Sequence, residues 1–374
     1  MIELVKRLRQ LFSYSGSKFL LSVMFALYYP KHRRYVSLFG GSAGEFSCKA
    51  PSPVEVYNDL DDHLHTVWQV LQNPEQYEQL LRLLENTPNG RRQFEICSQM
   101  LRDPPRKHSP VRRAWAFLVV GNICRSGFHP AITKAWGTAC DTSDKQTHNL
   151  MTLPRRLAEW RDRFRHVRIE HADWYKVFTK YDRHDTMTFA DPPYLPSTLR
   201  SSGPLYRHEL SIQLHVTLLR TLSAAKGCAM ICGYNSPLYT AMLFWWRKVE
   251  FPARATMGGK AARRCEIIWM NYEEDGTKIS RNKLVIVKRF VGIMGSVCAA
   301  RRYLDRIVAL LDLPRPDIQP TSQKKQTWLN YTDDGRGLPS TKMLVAKRYL
   351  EVMGSVSAAQ RWLYRLETLL GLSK

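Results

Sequence analysis

Short apolar runs followed by Gly, Asp or Pro recur along the chain and predict buried strands. Four runs stand out, at Tyr35–Phe39, Glu55–Tyr57, Met187–Ala190 and Cys228–Cys232. Helical patterns separate several of them, and strands alternating with helices favour a largely parallel sheet of the α/β class. Ligands bind such sheets at the carboxyl ends of the strands. A further apolar run, Phe19–Tyr29, is too short to span a bilayer and is interpreted as a buried helix.

Residues 66–165, between the second and third runs, have a different character. They contain amphipathic helical patterns over Glu75–Leu84 and Leu153–Phe164, and they are rich in arginine and lysine. We predict that this segment is a helical insertion with a role of its own. Residues 1–65 and 166–273 then form the main domain, with Trp269–Tyr272 as its last strand.

The C-terminal part of the sequence contains a duplication. A stretch of more than 40 residues recurs without gaps at a constant offset of 59, so that Gly295 corresponds to Gly354 and Ser296 to Ser355. In each copy a first helix is expected to end at the glycine, and the serine is expected to cap a second helix.

The two copies, residues 274–313 and 326–374, therefore predict a C-terminal appendage of two helical hairpins. Their basic residues suit an additional clamp on DNA. Their apolar helix faces equally suit a packing module or a homodimer interface, and these alternatives stay open at this point.

The chain is strongly basic. It has 56 Lys and Arg residues against 33 Asp and Glu residues, which gives a net charge of +23. An excess of this size favours a polyanionic partner, nucleic acid before an anionic membrane. The eight cysteines include no Cys-x-x-Cys pair. We therefore expect buried thiols in a reducing cytoplasm and no metal site. Because the apolar run Phe19–Tyr29 is too short to span a bilayer, we expect no membrane partner either.

The sharpest chemical signal is Asp191-Pro192-Pro193-Tyr194, directly after the third apolar run. Methylating an exocyclic amine requires hydrogen-bond acceptors for its protons, so that the nitrogen lone pair becomes available. Asp191 can supply one acceptor, and the carbonyl of Pro192 can supply another because Pro193 restricts its conformation. The ring of Tyr194 offers a flat face on which a flipped base can stack.

This tetrapeptide is the signature of amino methyltransferases that act on adenine. The sequence resembles the Dam-like family of DNA adenine-N6 methyltransferases, in its phage and mobile-element branch, from about residue 13 to residue 273. The resemblance implies a Rossmann-like methyltransferase sheet, S-adenosylmethionine as cofactor and double-stranded DNA as partner. It also implies a cytoplasmic enzyme of prokaryotic or phage origin, whose insertion recognises the DNA target.

Several elements resemble the family's cofactor-binding blocks. The segment 14–18 resembles the Tyr-Pro-Gly-Gly-Lys element, and the segment 39–44 resembles the Phe-x-Gly-x-Gly loop, with Ala43 where glycine is usual. An acid at the end of the second strand can bind the ribose hydroxyls of an adenosine. Asp173-Trp174 resembles the element that contacts adenine. The expected cofactor-binding residues are Tyr14, Lys18, Phe39, Gly40, Gly41, Asn58, Asp59, Asp173, Trp174 and Asp191.

Contacts with DNA are expected from two segments. Tyr206 and His208 belong to a block resembling the phage branch and are expected to face DNA or the mouth of the active site. Arg112, Arg113 and Arg125 are the candidates from the insertion, where arginine can read guanine edges. Two alternatives stay open: an RNA adenine-N6 methyltransferase, and a non-catalytic nucleic-acid-binding protein on a methyltransferase fold.

Overall fold

A seven-stranded sheet lies at the centre of the protein. The computed structural model describes residues 7–124, 149–199, 206–253, 264–279, 283–310 and 341–369. The strands are β1 (Arg34–Ser37), β2 (Val54–Asn58), β3 (Arg168–Glu170), β4 (Thr186–Ala190), β5 (Cys228–Gly233), β6 (Arg247–Ala253) and β7 (Arg264–Met270). Their spatial order is β3-β2-β1-β4-β5-β7-β6.

The strand directions confirm the predicted Rossmann-like sheet. Strands β1 to β5 pair in parallel, whereas β7 runs antiparallel to both of its neighbours. The strand order reverses between β1 and β4, and crevices for ligands form at such a switch point. All four predicted strands are present, with ends that differ by up to two residues. The last strand begins five residues before the predicted Trp269 and ends at Met270.

Helices cover both faces of the sheet, because successive side chains of a buried strand point to opposite sides. On β1, Tyr35 belongs to one hydrophobic cluster and Val36 to the other. The helices of the described residues are α1 (Ser22–Ala26), α2 (Asp62–Gln72), α3 (Pro74–Glu85), α4 (Arg91–Arg102), α5 (Pro110–Ile123), α6 (Leu153–Phe164), α7 (Trp174–Tyr181), α8 (Ile212–Ser223), α9 (Pro237–Met242), α10 (Lys283–Met294), α11 (Val297–Leu310), α12 (Thr341–Met353) and α13 (Val356–Leu369). Among them, none is both long and apolar enough to cross a membrane.

Helices α2 to α6 share one hydrophobic cluster with the sheet. The ring of Trp68 on α2 stacks on Phe164 of α6 with the ring centroids 4.0 Å apart. Arg163 of α6 donates to both carboxylate oxygens of the buried Glu55 on β2. Helices α3 and α6 lie where the amphipathic patterns predicted them, and α2 crosses the predicted boundary between residues 65 and 66.

The prediction of a buried helix over the run Phe19–Tyr29 is wrong for most of its length. Helix α1 has five residues, and Leu20, Met24 and Leu27 are exposed. Pro30 disfavours a helical conformation at Tyr29, so the last residue of the run could not have been helical.

Each copy of the C-terminal duplication folds as a pair of helices, α10 with α11 and α12 with α13. Gly295 and Gly354 end α10 and α12 with φ of +92° and +84°, a conformation that favours glycine. The hydroxyls of Ser296 and Ser355 each accept a hydrogen bond of 3.1 Å from a backbone N–H three residues later. These serines therefore cap α11 and α13.

The two hairpins pack against each other within one chain. Phe290 and Tyr349 occupy equivalent positions in the two copies, and their rings stack with centroids 4.0 Å apart and planes 4° apart. Both rings are buried. The apolar faces that a single hairpin would expose are thus covered by the other copy.

Candidate active site

A cavity of about 420 Å³ opens at the carboxyl ends of β1, β2 and β4, a size usual for small-molecule sites. The segments 14–18 and 206–210 complete its wall. Most of the predicted site residues come together there. They are Tyr14, Lys18, Phe39, Gly40, Gly41, Asn58, Asp59, Asp173, Trp174, Asp191, Pro193, Tyr206 and His208.

The loop after β1 requires small residues at defined positions. A Cβ atom on Gly40 would lie 2.1 Å from the ring of Tyr57, which is itself buried. Ala43 adopts φ of 55°, which explains on physical grounds why glycine is the usual residue at this place in the loop. The loop is held by Tyr57, whose hydroxyl donates a 2.7 Å hydrogen bond to the carbonyl of Gly41.

The end of β2 connects three segments of the wall. The side chain of Asn58 donates to the carbonyl of Leu38 at 2.9 Å and accepts from the N–H of Ala172 at 3.1 Å. The carboxylate of Asp59 accepts from the N–H groups of Gly41 and Asp61, both at 2.8 Å. Burial raises the pKa of Asp59 to about 6.

The segment 173–174, predicted to contact adenine, caps a helix. The carboxylate of Asp173 accepts a 2.9 Å hydrogen bond from the N–H of Tyr175 and so caps α7. The rings of Trp174 and Phe39 lie side by side in the wall, with centroids 6.5 Å apart. They form an aromatic end of the cavity.

The end of β4 carries a buried charge cluster. Lys18, 8% exposed, lies with its Nζ 2.9 Å from Oδ1 of Asp191 and 3.6 Å from Oε1 of Glu266 on β7. It also donates to the carbonyl of Gly16 at 2.8 Å. Burial alone would lower the pKa of Lys18, but the two carboxylates outweigh it and raise that pKa well above its ordinary value. Burial raises the pKa of Asp191 as well, although Lys18 opposes this.

Pro192 and Tyr194 do not belong to the cavity wall. The ring of Tyr194 is 7% exposed. The ammonium of Lys18 lies 4.8 Å from the centre of this ring, and Tyr234 packs edge-on at 4.7 Å. The hydroxyl of Tyr194 donates to Glu266. The open stacking face expected from the sequence is therefore covered in this arrangement.

Two buried acids of the site were missed by the sequence analysis. Glu45, in a short 3-10 helix after the glycine loop, lines the cavity. Burial raises its pKa to about 8. Burial likewise raises the pKa of Glu266 to about 7. The sequence does contain a signal for Glu266. It is the single acidic residue in an apolar strand, on the same face as Ile268 and Met270, and this pattern indicates a buried carboxyl group.

Arg112 and Arg113, two of the DNA-contact candidates of the insertion, do not line the cavity. Arg112 is exposed on the first turn of α5, whereas Arg113 forms an ion pair with Asp62 of α2. Arg125 lies outside the described residues. A basic surface on and around α4 and α5 consists of exposed side chains of Arg91, Arg92, Arg102, Arg106, Lys107 and Arg112.

Comparison with known proteins agrees with this geometry. A search of curated proteins found no match. The family model for D12 class N6 adenine-specific DNA methyltransferases matches residues 14–237, which is more than half of the chain. The match begins at the first residue of the cavity wall and ends at the start of α9, so it contains both the glycine loop and Asp191. The chain therefore belongs to the D12 class of N6 adenine-specific DNA methyltransferases.

Proposed function

We propose that the protein transfers a methyl group from S-adenosylmethionine to the N6 amino group of an adenine that is flipped out of double-stranded DNA. One observation carries this proposal. The carboxylate of Asp191 lies in the wall of the same cavity as the glycine loop and Asp59. A single cavity thus offers a nucleoside site and an acceptor for an amine.

The residues of the wall fit this cofactor. Asp59 suits the ribose hydroxyls, and the aromatic end formed by Phe39 and Trp174 suits a purine ring. The carboxylate of Asp191 lies in the same wall and suits the cationic half of the molecule. When bound, the cofactor supplies an electrophilic methyl group on a sulfonium.

The protein's own residues position the amine. Lys18 contacts Oδ1 of Asp191, so Oδ2 is the oxygen that we assign to an amine proton. We assign the second proton to the carbonyl of Pro192, as predicted from the sequence, although Pro192 is not part of the cavity wall in this structure. Both acceptors favour the pyramidal nitrogen that can attack a methyl group, and the remaining contribution is orientation. The proton released after transfer passes to water or to Asp191.

DNA is bound, in this proposal, through the basic surface on and around α4 and α5, whose charges contact phosphates. Flipping of the adenine costs a few kcal/mol. Tyr206 and His208 lie in the cavity wall, and we assign them to the extruded nucleotide. The insertion is proposed to recognise the target sequence, as the family resemblance implies.

The test is transfer of tritiated methyl groups to matched DNA and RNA duplexes. Asp191→Ala should lower the rate on DNA by about 10²–10³-fold, because one preorganised hydrogen-bonding group is lost. Binding of S-adenosylmethionine, measured by calorimetry, should remain detectable in this variant. Asp162→Ala is the matched control, since Asp162 is 70% exposed on α6.

Other outcomes separate the alternatives. Full turnover by Asp191→Ala would refute the role given to this carboxylate. Faster methylation of RNA would favour an RNA methyltransferase. A wild-type protein that binds DNA but no cofactor would favour a non-catalytic binding protein.

A further inference from the structure

Three side chains of types that can bind a metal ion lie close together next to Asp59 and Asp61 of the cavity wall. Asp62 and His65 lie one turn apart on α2, which places them on the same helix face. His171 follows β3, whose parallel pairing with β2 brings both strand ends to one edge. One ligand atom from each of the three side chains lies within 4.8 Å of the other two.

The hydrogen bond of His171 leaves one of its ring nitrogens for a metal. Its Nδ1 lies 2.9 Å from the backbone carbonyl of Asp59. Because a carbonyl can only accept, Nδ1 carries a proton, and in the neutral ring Nε2 keeps its lone pair. Ligating histidines usually donate their second ring nitrogen to a carbonyl or carboxylate in this way.

The second imidazole lies directly against the first. The rings of His65 and His171 are stacked, with centroids 4.4 Å apart and planes 19° apart. Two imidazoles and one carboxylate are a donor set that suits zinc, cobalt(II) and nickel(II). Metal–nitrogen bonds of about 2.0–2.1 Å put tetrahedral ligands about 3.4 Å apart. The ligand atoms lie within 4.8 Å of one another, so they would have to approach by up to about 1.4 Å. One ring would also have to turn out of the stack, because an ion lies in the plane of each imidazole that binds it, and the exposed His171 has room to do so.

A competing contact lowers the affinity of this site. Arg113 of α5 contacts Oδ2 of Asp62, so a cation at the carboxylate would be repelled by the neighbouring guanidinium. This contact distinguishes the site from adventitious binding elsewhere on the surface. Removal of the guanidinium should strengthen metal binding at this site only.

We propose that Asp62, His65 and His171 bind one divalent transition-metal ion, zinc being the biological representative of this class. The ion would tie the first turn of α2 to the segment after β3. That segment includes Asp173 and Trp174 of the cavity wall, and the carbonyl of Asp59 holds His171. The ion would thus stiffen the part of the cavity wall that contains Asp59, Asp173 and Trp174. Its binding does not depend on the methyl-transfer proposal.

The experiment uses the full-length chain without an affinity tag. Cobalt(II) is titrated with detection by visible absorption, and zinc is titrated by calorimetry. The wild type should bind one ion. His65→Ala and His171→Ala should each weaken binding at least tenfold, whereas Arg113→Met should strengthen it several-fold. His166→Ala, at an exposed histidine shortly before β3, is the matched control and should bind as the wild type does.

Folding is checked by the melting temperature of each variant in the presence of EDTA. His171→Ala is the decisive variant, because its side chain is exposed and its removal leaves no cavity in the core. Wild-type affinity in both histidine variants would overturn the proposal, since the ion would then be held elsewhere. The absence of stoichiometric binding by the wild type, or weaker binding by Arg113→Met, would overturn it too.

Discussion

Glu45 should lose its proton only near pH 8, and this gives the protein a specific pH dependence of stability. The side chain is 3% exposed, and Oε1 accepts a 2.5 Å hydrogen bond from the hydroxyl of Ser37. Burial raises the pKa from 4.5 to about 8 in the folded state. The stabilisation by the protonated group is therefore complete below pH 4.5 and is lost progressively as the pH rises through 8.

The size of the effect follows from the shift. Each pKa unit corresponds to about 1.4 kcal/mol, so the full loss is about 5 kcal/mol. About 1.4 kcal/mol of it has been lost by pH 5.5, which leaves about 3 kcal/mol to be lost between pH 5.5 and pH 8.5. Glu45→Gln keeps the shape of the side chain but cannot ionise. Its free energy of unfolding, relative to that of the wild type, should rise by about 3 kcal/mol over this interval.

The measurement is urea denaturation followed by circular dichroism at both pH values, without cofactor. Other buried groups titrate in the same interval, but they are common to both proteins and largely cancel in the difference. Glu78→Gln, at an exposed position of α3, should show no such change. A pH dependence of Glu45→Gln that runs parallel to the wild type would refute the reasoning, because the carboxyl group would then ionise at its ordinary pH.

Two further predictions concern packing. Gly40→Ala should weaken binding of S-adenosylmethionine at least tenfold in calorimetry and cost about 1–3 kcal/mol of stability, because the new Cβ meets the ring of Tyr57. Gly90→Ala, where the new Cβ has nothing within 4 Å, is the control for cofactor binding. Equally weakened binding in both variants would count against the cause given. Tyr349→Ala should cost about 3–5 kcal/mol and expose the C-terminal hairpins to limited proteolysis. Tyr364→Ala, at a residue 61% exposed, is the control and should leave the cleavage pattern unchanged. If Tyr349→Ala resisted the protease as well as the wild type does, the prediction would be contradicted.

The strands that position the site could be predicted because they are buried on both faces. Such strands appear as continuous apolar runs, and the residues directly after them must lie at the ligand-binding edge. Asp59 and Asp191 were found in this way, and the structure brings both to one cavity. Strands β3 and β6 gave no such signal. β3 has a single apolar residue, Ile169, and β6 contains Pro252, which is tolerated because β6 forms the edge of the sheet.

The charge cluster around Lys18 could not be predicted, because its members are far apart in the sequence. Lys18, Asp191 and Glu266 meet only when the N-terminal segment and β7 pack beside the end of β4. The same packing covers the ring of Tyr194. A short-range motif can therefore identify an acceptor such as Asp191, but the exposure of its neighbour depends on contacts that only the tertiary structure supplies.

The C-terminal duplication shows how a repeat can be recognised while its arrangement is not. The glycine and serine signals determine each hairpin locally. The pairing of the hairpins depends on equivalent aromatic residues, Phe290 and Tyr349, meeting face to face. Since this pairing occurs within one chain, we infer that the repeats are a packing module. A homodimer would have to form through surfaces other than the faces that carry Phe290 and Tyr349. The outer faces stay basic, with Arg302 and Arg361 both exposed at equivalent positions, so internal pairing is compatible with an additional contact to DNA phosphates.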